Sequence, residues 1–315
     1  MSEQKIRFDG QVAVVTGAGG GLGKAYALEL AGRGAKVVVN DLGVAPSGEP
    51  GVGAKSADTV VAEIIQAGGE AIASYDNVLE GDKIVEAAMD HFGGLDILIN
   101  NAGYTHAAPF HLLDDKDWHG IIDVHINGTY KTTRSAWPHL MQRGYGRVLL
   151  TASPGIHGGN GASHYCSAKA SMIGFAKALT VEAQANGAGI NTNVIVPSAK
   201  TRMTVANQIP SEAYRGADPK FVAPIVALLC HQSNSNSGCI FEAGGRSFYQ
   251  VKLAFGEGIT LDEKDCNAES LLENWSTLES FENPEFIDDV VEIVRRLGID
   301  LTYLPTERQF PDEID

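Results

Sequence analysis

Short apolar runs alternate with amphipathic stretches over the first 240 residues, at intervals that suit strands and helices in turn. Strands are predicted over residues 12–16, 36–40, 71–75, 97–100, 147–151 and 191–196, with a seventh over 238–242. Between them a 3.6-residue period predicts helices over 22–33, 54–67, 82–92, 114–142 and 163–185. The first of these is closed by Gly34, and the fourth is expected to bend near Pro138. Such strands are apolar on both faces, so the expected fold is α/β: a Rossmann-type doubly wound parallel sheet with helices on both sides. Residues 42–54 are rich in glycine and proline and predict a mobile surface loop, while 198–218 show no clear period. That second stretch follows a strand end, where α/β folds place ligands, so a substrate lid is expected there. After Glu242 the pattern changes to an extended stretch over 246–255 and two acidic helical segments, 268–278 and 284–297. The organisation expected is a main domain over 1–245 and a short acidic C-terminal extension over 246–315 packing on it.

Composition changes this picture little. The chain has 315 residues, 44% hydrophobic and 20% charged, which is ordinary for a globular protein with ample length for a core. Charge changes it more. Of the net −15, most comes from residues 256–315, which hold 17 Asp and Glu against four Lys and Arg. An acidic end of this kind speaks against nucleic acid or an anionic membrane as partner. No apolar run approaches the ~20 residues that a membrane helix needs. Cys166, Cys230, Cys239 and Cys266 are scattered without CxxC spacing, which fits free thiols in a reducing compartment better than disulfides or a metal site. The polar start MSEQKIRFDG and the end Asp-Glu-Ile-Asp carry neither a secretory signal nor a peroxisomal address, so a cytoplasmic location is expected.

The candidate chemistry begins at the end of the first strand. Gly17, Gly21 and Gly23 follow it with GxxxGxG spacing, and the helix beginning at Leu22 comes next. Glycines there allow a tight turn and close backbone approach to a pyrophosphate, and the helix N-terminus favours negative charge. A glycine pattern alone is weak; placed between a strand and a helix it predicts a dinucleotide site. Asp41 ends the second strand, 18 residues after Gly23, where a carboxylate accepts from both ribose hydroxyls and repels a 2′-phosphate. No Arg or Lys occupies 17–22 or 40–45, so NAD is expected over NADP. Asp76, Asn77 and Val78 after the third strand are assigned to the adenine end. Asn101, Ala102 and Gly103 after the fourth bring small residues to the adenosine ribose.

Tyr165 and Lys169 stand one helical turn apart. A free tyrosine has a pKa near ~10, too high for an efficient base at neutral pH. A lysine on the same helix face, and the positive ring of NAD⁺, both favour the phenolate. Tyr165 would then take a hydroxyl proton as hydride leaves the substrate carbon, and Ser153 would steady the substrate oxygen. His157 and His164 are weaker candidates for the base, because loop and helix-start histidines are usually structural.

Taken together, the spacing TGxxxGxG, Asp41, Asn100-Asn101-Ala102-Gly103, Ser153 and YxxxK resembles the short-chain dehydrogenase/reductase family over about the first 245 residues. Within it, the stretches VPSAKTRMT, GCIFEAGG and NWSTLESFEN are similar to the dehydrogenase part of type 2 peroxisomal multifunctional enzymes. The resemblance implies NAD-dependent oxidation of a (3R)-hydroxyacyl-CoA or hydroxysteroid, with Ser153, Tyr165 and Lys169 catalytic and Asp41 and Asp76 on the cofactor. It also implies a homodimer or homotetramer paired through the helices over 114–142 and 163–185. Three features depart from the family pattern. Its fourth catalytic residue, an asparagine, aligns with His125, while Asn127 comes two residues late. Ser153 lies twelve residues before Tyr165, one fewer than usual, with Pro154 beside it. No hydratase or sterol-carrier segment is present, so a stand-alone dehydrogenase is expected.

Lys200 and Arg202 are candidates for the phosphates of a CoA substrate, or are ordinary surface cations. Other readings are a dehydrogenase of another bulky cyclic or aryl alcohol, and a non-catalytic NAD-binding sensor. A lyase or epimerase with YxxxK would usually be read from GxxGxxG, whereas this turn is read here as GxxxGxG.

Overall fold

The computed structural model describes residues 6–44, 55–206, 216–287 and 290–297. Residues 1–251 and 252–315 form two units.

The first unit is built on a sheet of eight strands in the order β3-β2-β1-β4-β5-β6-β7-β8. The strands are β1 Val12–Thr16, β2 Lys36–Asn40, β3 Glu70–Ser74, β4 Ile97–Asn100, β5 Gly146–Thr151, β6 Ile190–Ser198, β7 Ile240–Gly244 and β8 Ser247–Val251. All neighbouring pairs from β3 to β7 are parallel, and β8 closes the edge antiparallel to β7. The order reverses between β1 and β4, which is where a doubly wound sheet leaves a crevice at its strand C-termini.

Period-two alternation within each strand sends side chains to two separate cores. On one face, Ala13, Val15, Val37, Val39, Ile97 and Ile99 pack against α1 Gly21–Gly32, α2 Lys55–Gln66 and α8 Ala223–Cys230. On the other, Val14, Val38, Leu98, Val148 and Val194 pack against α3 Gly81–Phe92, α5 Gly128–Arg143 and α6 Ser163–Ala185. Both faces are therefore apolar, as the unbroken Val, Ile and Leu runs require.

The long helix expected over 114–142 is present as one continuous run with a π turn inside it. It runs as α4 Asp115–Ile122, widens into a π turn over Asp123–Asn127, and continues as α5. Pro138 lies inside α5. Of the expected lid, residues 207–215 lie outside the described residues, as do 45–54 of the expected loop; the described part of the lid contains a short helix, α7 Arg202–Ala206.

In the second unit the first acidic segment forms two short helices, α9 Ala268–Glu273 and α10 Trp275–Leu278. Among the described residues of the second segment, α11 Val290–Arg296 is helical and Glu285 pairs its backbone with Phe255 at 2.8 and 3.0 Å.

Ile99 lies in a central strand with no exposed surface. Ile99→Ala is expected to lower unfolding free energy by about 2–5 kcal/mol in urea titrations. A loss under about 1 kcal/mol would mean that this layer of the sheet collapses around the gap.

Candidate active site

The C-terminal ends of β1, β2, β4, β5 and β6 open into one cleft of about 830 Å³. Of the residues singled out from sequence, Gly17, Gly21, Leu22, Asp41, Asp76, Asn77, Val78, Asn101, Ala102, Gly103, Ser153, Tyr165 and Lys169 all line it. Gly23 lies beneath the turn.

At one end, the glycine turn is held too tightly for side chains. Gly17 has φ +64, and a Cβ there would stand 2.8 Å from the Ala102 Cα. A Cβ at Gly23 would lie 2.6 Å from the Asn101 amide nitrogen and collide with the Gly17 carbonyl. Asp41 is tied directly to this turn: its Oδ2 accepts from the Gly19 N–H at 2.8 Å, and its Oδ1 from the Gly43 N–H at 2.8 Å. A Cβ at Gly19 would fall 2.6 Å from that same Oδ2. The carboxylate is thus fixed by charge-assisted bonds, with lone pairs left over for a diol.

The neighbouring strand ends continue the pattern. The buried Asn40 amide donates to Ser74 Oγ at 3.0 Å and to the Asp76 carbonyl at 2.9 Å. Ser74 Oγ in turn donates to Asp76 Oδ2 at 3.1 Å. Asn77 caps a short turn through Leu79 N–H at 3.0 Å, and Val78 is buried against Gly128, whose Cβ would stand 2.9 Å from the Val78 Cβ. Asn101 lines the cleft with Ala102 and Gly103, and its side chain has a further part. Its amide donates to the Thr16 carbonyl at 2.9 Å and the Gly17 carbonyl at 3.3 Å, so the side chain holds the turn itself.

At the other end, α6 presents Tyr165 and Lys169. Lys169 is 5% exposed and donates from Nζ to the Thr151 carbonyl at 2.6 Å, with Nζ 5.8 Å from the Tyr165 ring centroid. Burial pushes its pKa down from 10.5 to about 7. Ser153 caps the turn that follows β5, its Oγ accepting from Gly155 N–H at 3.2 Å. Pro154 begins that turn, which runs to His157.

His125 sits in the π turn, 2% exposed, with its ring edge-on to Tyr165 at 5.4 Å. Its Nε2 lies 2.7 Å from the Tyr104 carbonyl. Burial first, then the Lys169 charge, holds its pKa well below 6.5, so the ring is neutral. Asn127, by contrast, donates to Asp123 Oδ1 at 2.7 Å. His157 and His164 do not line the cleft. His164 is fully buried, edge-on to His106 at 6.4 Å.

Sequence reasoning missed three contributors. Thr151 supplies the carbonyl for Lys169, Ser56 Oγ reaches Asp41 Oδ1 at 3.3 Å, and Thr16 Oγ1 receives two backbone N–H groups. Only Thr16 had a signal, its place just before the glycine turn.

A doubly wound sheet with a glycine turn and a fixed carboxylate at its switch point defines a dinucleotide-binding α/β protein. Comparison with known proteins narrows the class. The sequence profile of the short chain dehydrogenase family matches residues 11–210. Peroxisomal multifunctional enzyme A of Dictyostelium discoideum is 42% identical over 290 residues, covering 92% of this chain and 64% of that protein. Peroxisomal multifunctional enzyme type 2 of Mus musculus is 39% identical over 302 residues, covering 93% of this chain and 40% of that protein. The full-length structure of peroxisomal multifunctional enzyme type 2 from Drosophila melanogaster aligns with TM-score 0.78 at 34% identity, over 93% of this chain and 49% of that one. The chain thus spans less than two thirds of each of these relatives. It belongs to the short-chain dehydrogenase family. It is an oxidoreductase acting on CH–OH groups, in a family that generally uses NAD or NADP.

The depressed pKa of Lys169 has a measurable cost. Below about 7 both folded and unfolded chains carry the ammonium, and the full penalty of burying it is felt. As pH rises from there to 10.5 the folded state sheds the proton first, so stability climbs. Lys169→Met is expected to be more stable than wild type at pH 6, with the gap narrowing by pH 9 in urea titrations. A gap that does not change with pH would mean Lys169 is not buried charged.

Proposed function

We propose that this chain oxidises a secondary alcohol to a ketone with NAD, the alcohol being a (3R)-hydroxyacyl-CoA thioester. The observation that carries the reading is the meeting, in one cleft, of the glycine turn and Asp41 with Ser153, Tyr165 and Lys169. Asp41 supports NAD over NADP, since its fixed charge repels a 2′-phosphate and no cation among the described residues is hydrogen-bonded to it. The relatives named as peroxisomal multifunctional enzymes support the thioester.

The dinucleotide, when bound, supplies the hydride acceptor. Tyr165 takes the hydroxyl proton of the substrate. Ser153 hydrogen-bonds the substrate oxygen and steadies its developing charge. Lys169 is costly to keep charged among apolar neighbours, but an anionic phenolate beside it favours the ammonium. His125, held neutral, packs its ring edge against Tyr165 and limits where the phenol can lie. The same reading takes the protein to be a homodimer or homotetramer, as the family resemblance implies.

Tyr165→Phe is expected to lower turnover roughly 10²- to 10⁴-fold while NADH affinity stays within a few-fold. Both are read by NADH fluorescence, with (3R)- and (3S)-hydroxyacyl-CoA, a hydroxysteroid and cyclic or aryl alcohols as substrates. Undiminished turnover by the variant would remove Tyr165 as the base. Turnover of a free alcohol but not the (3R)-thioester would remove the proposed substrate.

A further inference from the structure

The glycine turn has a neighbour that its own sequence does not announce. Gly20 is the N-cap of α1, with φ −173 and ψ 176, and no side chain caps the helix there. The first turn of α1 carries no acidic residue either. Beside Gly20 lies the Arg202 guanidinium. A Cβ built on Gly20 would stand 2.7 Å from its Nη2 and 3.3 Å from its Cζ. A methyl group at that position would therefore have to push the guanidinium away.

Arg202 is exposed, and among the described residues no carboxylate pairs with it. It is nonetheless anchored at its base. Thr204 Oγ1 accepts from the Thr201 N–H at 3.0 Å and donates to the Thr201 carbonyl at 2.8 Å. The Lys200 N–H reaches the Ala217 carbonyl at 2.7 Å, which pins the residues just before. Thr201 itself covers Gly21, with its Cγ2 3.3 Å from where a Cβ would sit. Arg202, Thr201, Met203 and Thr204 all line the cleft, and Lys200 does not.

We infer that Arg202 binds the pyrophosphate of the dinucleotide alongside the uncapped N–H groups of α1. The inference rests on the dinucleotide reading above. Backbone N–H groups and a planar guanidinium are complementary donors for a diphosphate: the first are fixed, and the second bonds phosphate oxygens in pairs. The segment that carries Arg202 also lines the cleft through Met203 and Thr204. Cofactor affinity is thereby tied to the placement of that segment. Arg202 and Lys200, which the sequence offered together for CoA phosphates, thus stand apart: the first lines the cleft beside Gly20 and the second does not.

The test uses the full chain, first in binding measurements without substrate and then in turnover with a CoA thioester and its pantetheine counterpart. Binding of NADH, ADP-ribose and adenosine is measured by fluorescence and calorimetry for wild type, Arg202→Gln, Arg202→Lys and Lys200→Gln. Arg202→Gln is expected to lose roughly 10- to 100-fold in affinity for NADH and ADP-ribose and none for adenosine. Arg202→Lys should recover part of the loss, and Lys200→Gln should match wild type. NADH affinity within twofold of wild type for Arg202→Gln would overturn the inference. A rise in KM for a CoA thioester but not for its pantetheine counterpart, with NADH binding unchanged, would overturn it too and assign Arg202 to the substrate. Wild type that binds no dinucleotide at all would overturn both this inference and the reading it rests on. If Arg202→Gln melts lower than wild type, the comparison is made with Arg202→Lys, where the charge is kept and the planar fork lost.

Discussion

At the end of β1 the Thr16 hydroxyl accepts hydrogen bonds from the backbone N–H groups of Asn101 and Ala102, at 2.9 and 3.0 Å. The Asn101 amide returns a bond to the Thr16 carbonyl at 2.9 Å. These bonds extend the pairing of β1 with β4 past the last residues of the ladder, at the place where the strand order reverses. The crossovers then leave in opposite directions, and the crevice between them becomes the cleft. Close approach of the two strand ends is also why the turn must be glycine. With residues 101 and 102 drawn against it, Gly17 and Gly23 have no room for a Cβ. An unsatisfied N–H at this crossing costs about 1–3 kcal/mol, so the hydroxyl and the absent side chains support one another.

The two ends of the cleft carry different electrostatics. Asp41 and Asp76 sit at the ends of β2 and β3, each held by donors from the backbone or from Ser74. The other end has a lysine whose charge is expensive to bury and a histidine kept neutral by the same burial. Lys169 has one hydrogen bond to the Thr151 carbonyl, which satisfies a donor without supplying a counter-charge. Its ammonium therefore responds strongly to any anion formed nearby. A salt bridge in that position would hold the charge permanently and remove that response.

Much of this was legible in the sequence because each motif falls at the end of a short apolar strand. Val, Ile and Leu runs bounded by glycine mark β1, β2, β4 and β5 with little ambiguity, and Asp41 and Asn101 directly follow β2 and β4. Helix starts were less clear: Gly21 and Gly81 begin α1 and α3, although glycine is a poor helix former, because each lies against other backbone or the cleft. The eight-residue helix α8, sequence APIVALLC, was missed, since an all-apolar run carries no period to read. The π turn was invisible for a different reason. Its extra residue is favoured by a tertiary contact, the bond from His125 to the Tyr104 carbonyl, and no local pattern records that. Arg202 was noticed as a cation, but its reach across the turn to Gly20 depends on where β6 and α7 place it.

The replacement of asparagine by histidine at position 125 is best understood as one change within a small packed group. The His125 ring fills the space above Gly103, where a Cβ would stand 2.9 Å from Nδ1. Its Nε2 reaches the Tyr104 carbonyl, and its ring stands nearly perpendicular to that of Tyr165, centroids 5.4 Å apart. An asparagine is too short to span from the π turn to both Tyr104 and Tyr165, so the ring, the glycine beneath it and the widened turn belong together. The side chain that touches the phenol is thus set by the path of the helix behind it. That path is in turn fixed by packing: Gly128, just after the turn, lets Val78 of the neighbouring strand end close against the helix backbone. Position 125 therefore connects the β3 end of the cleft to the phenol at the other end through one continuous helix.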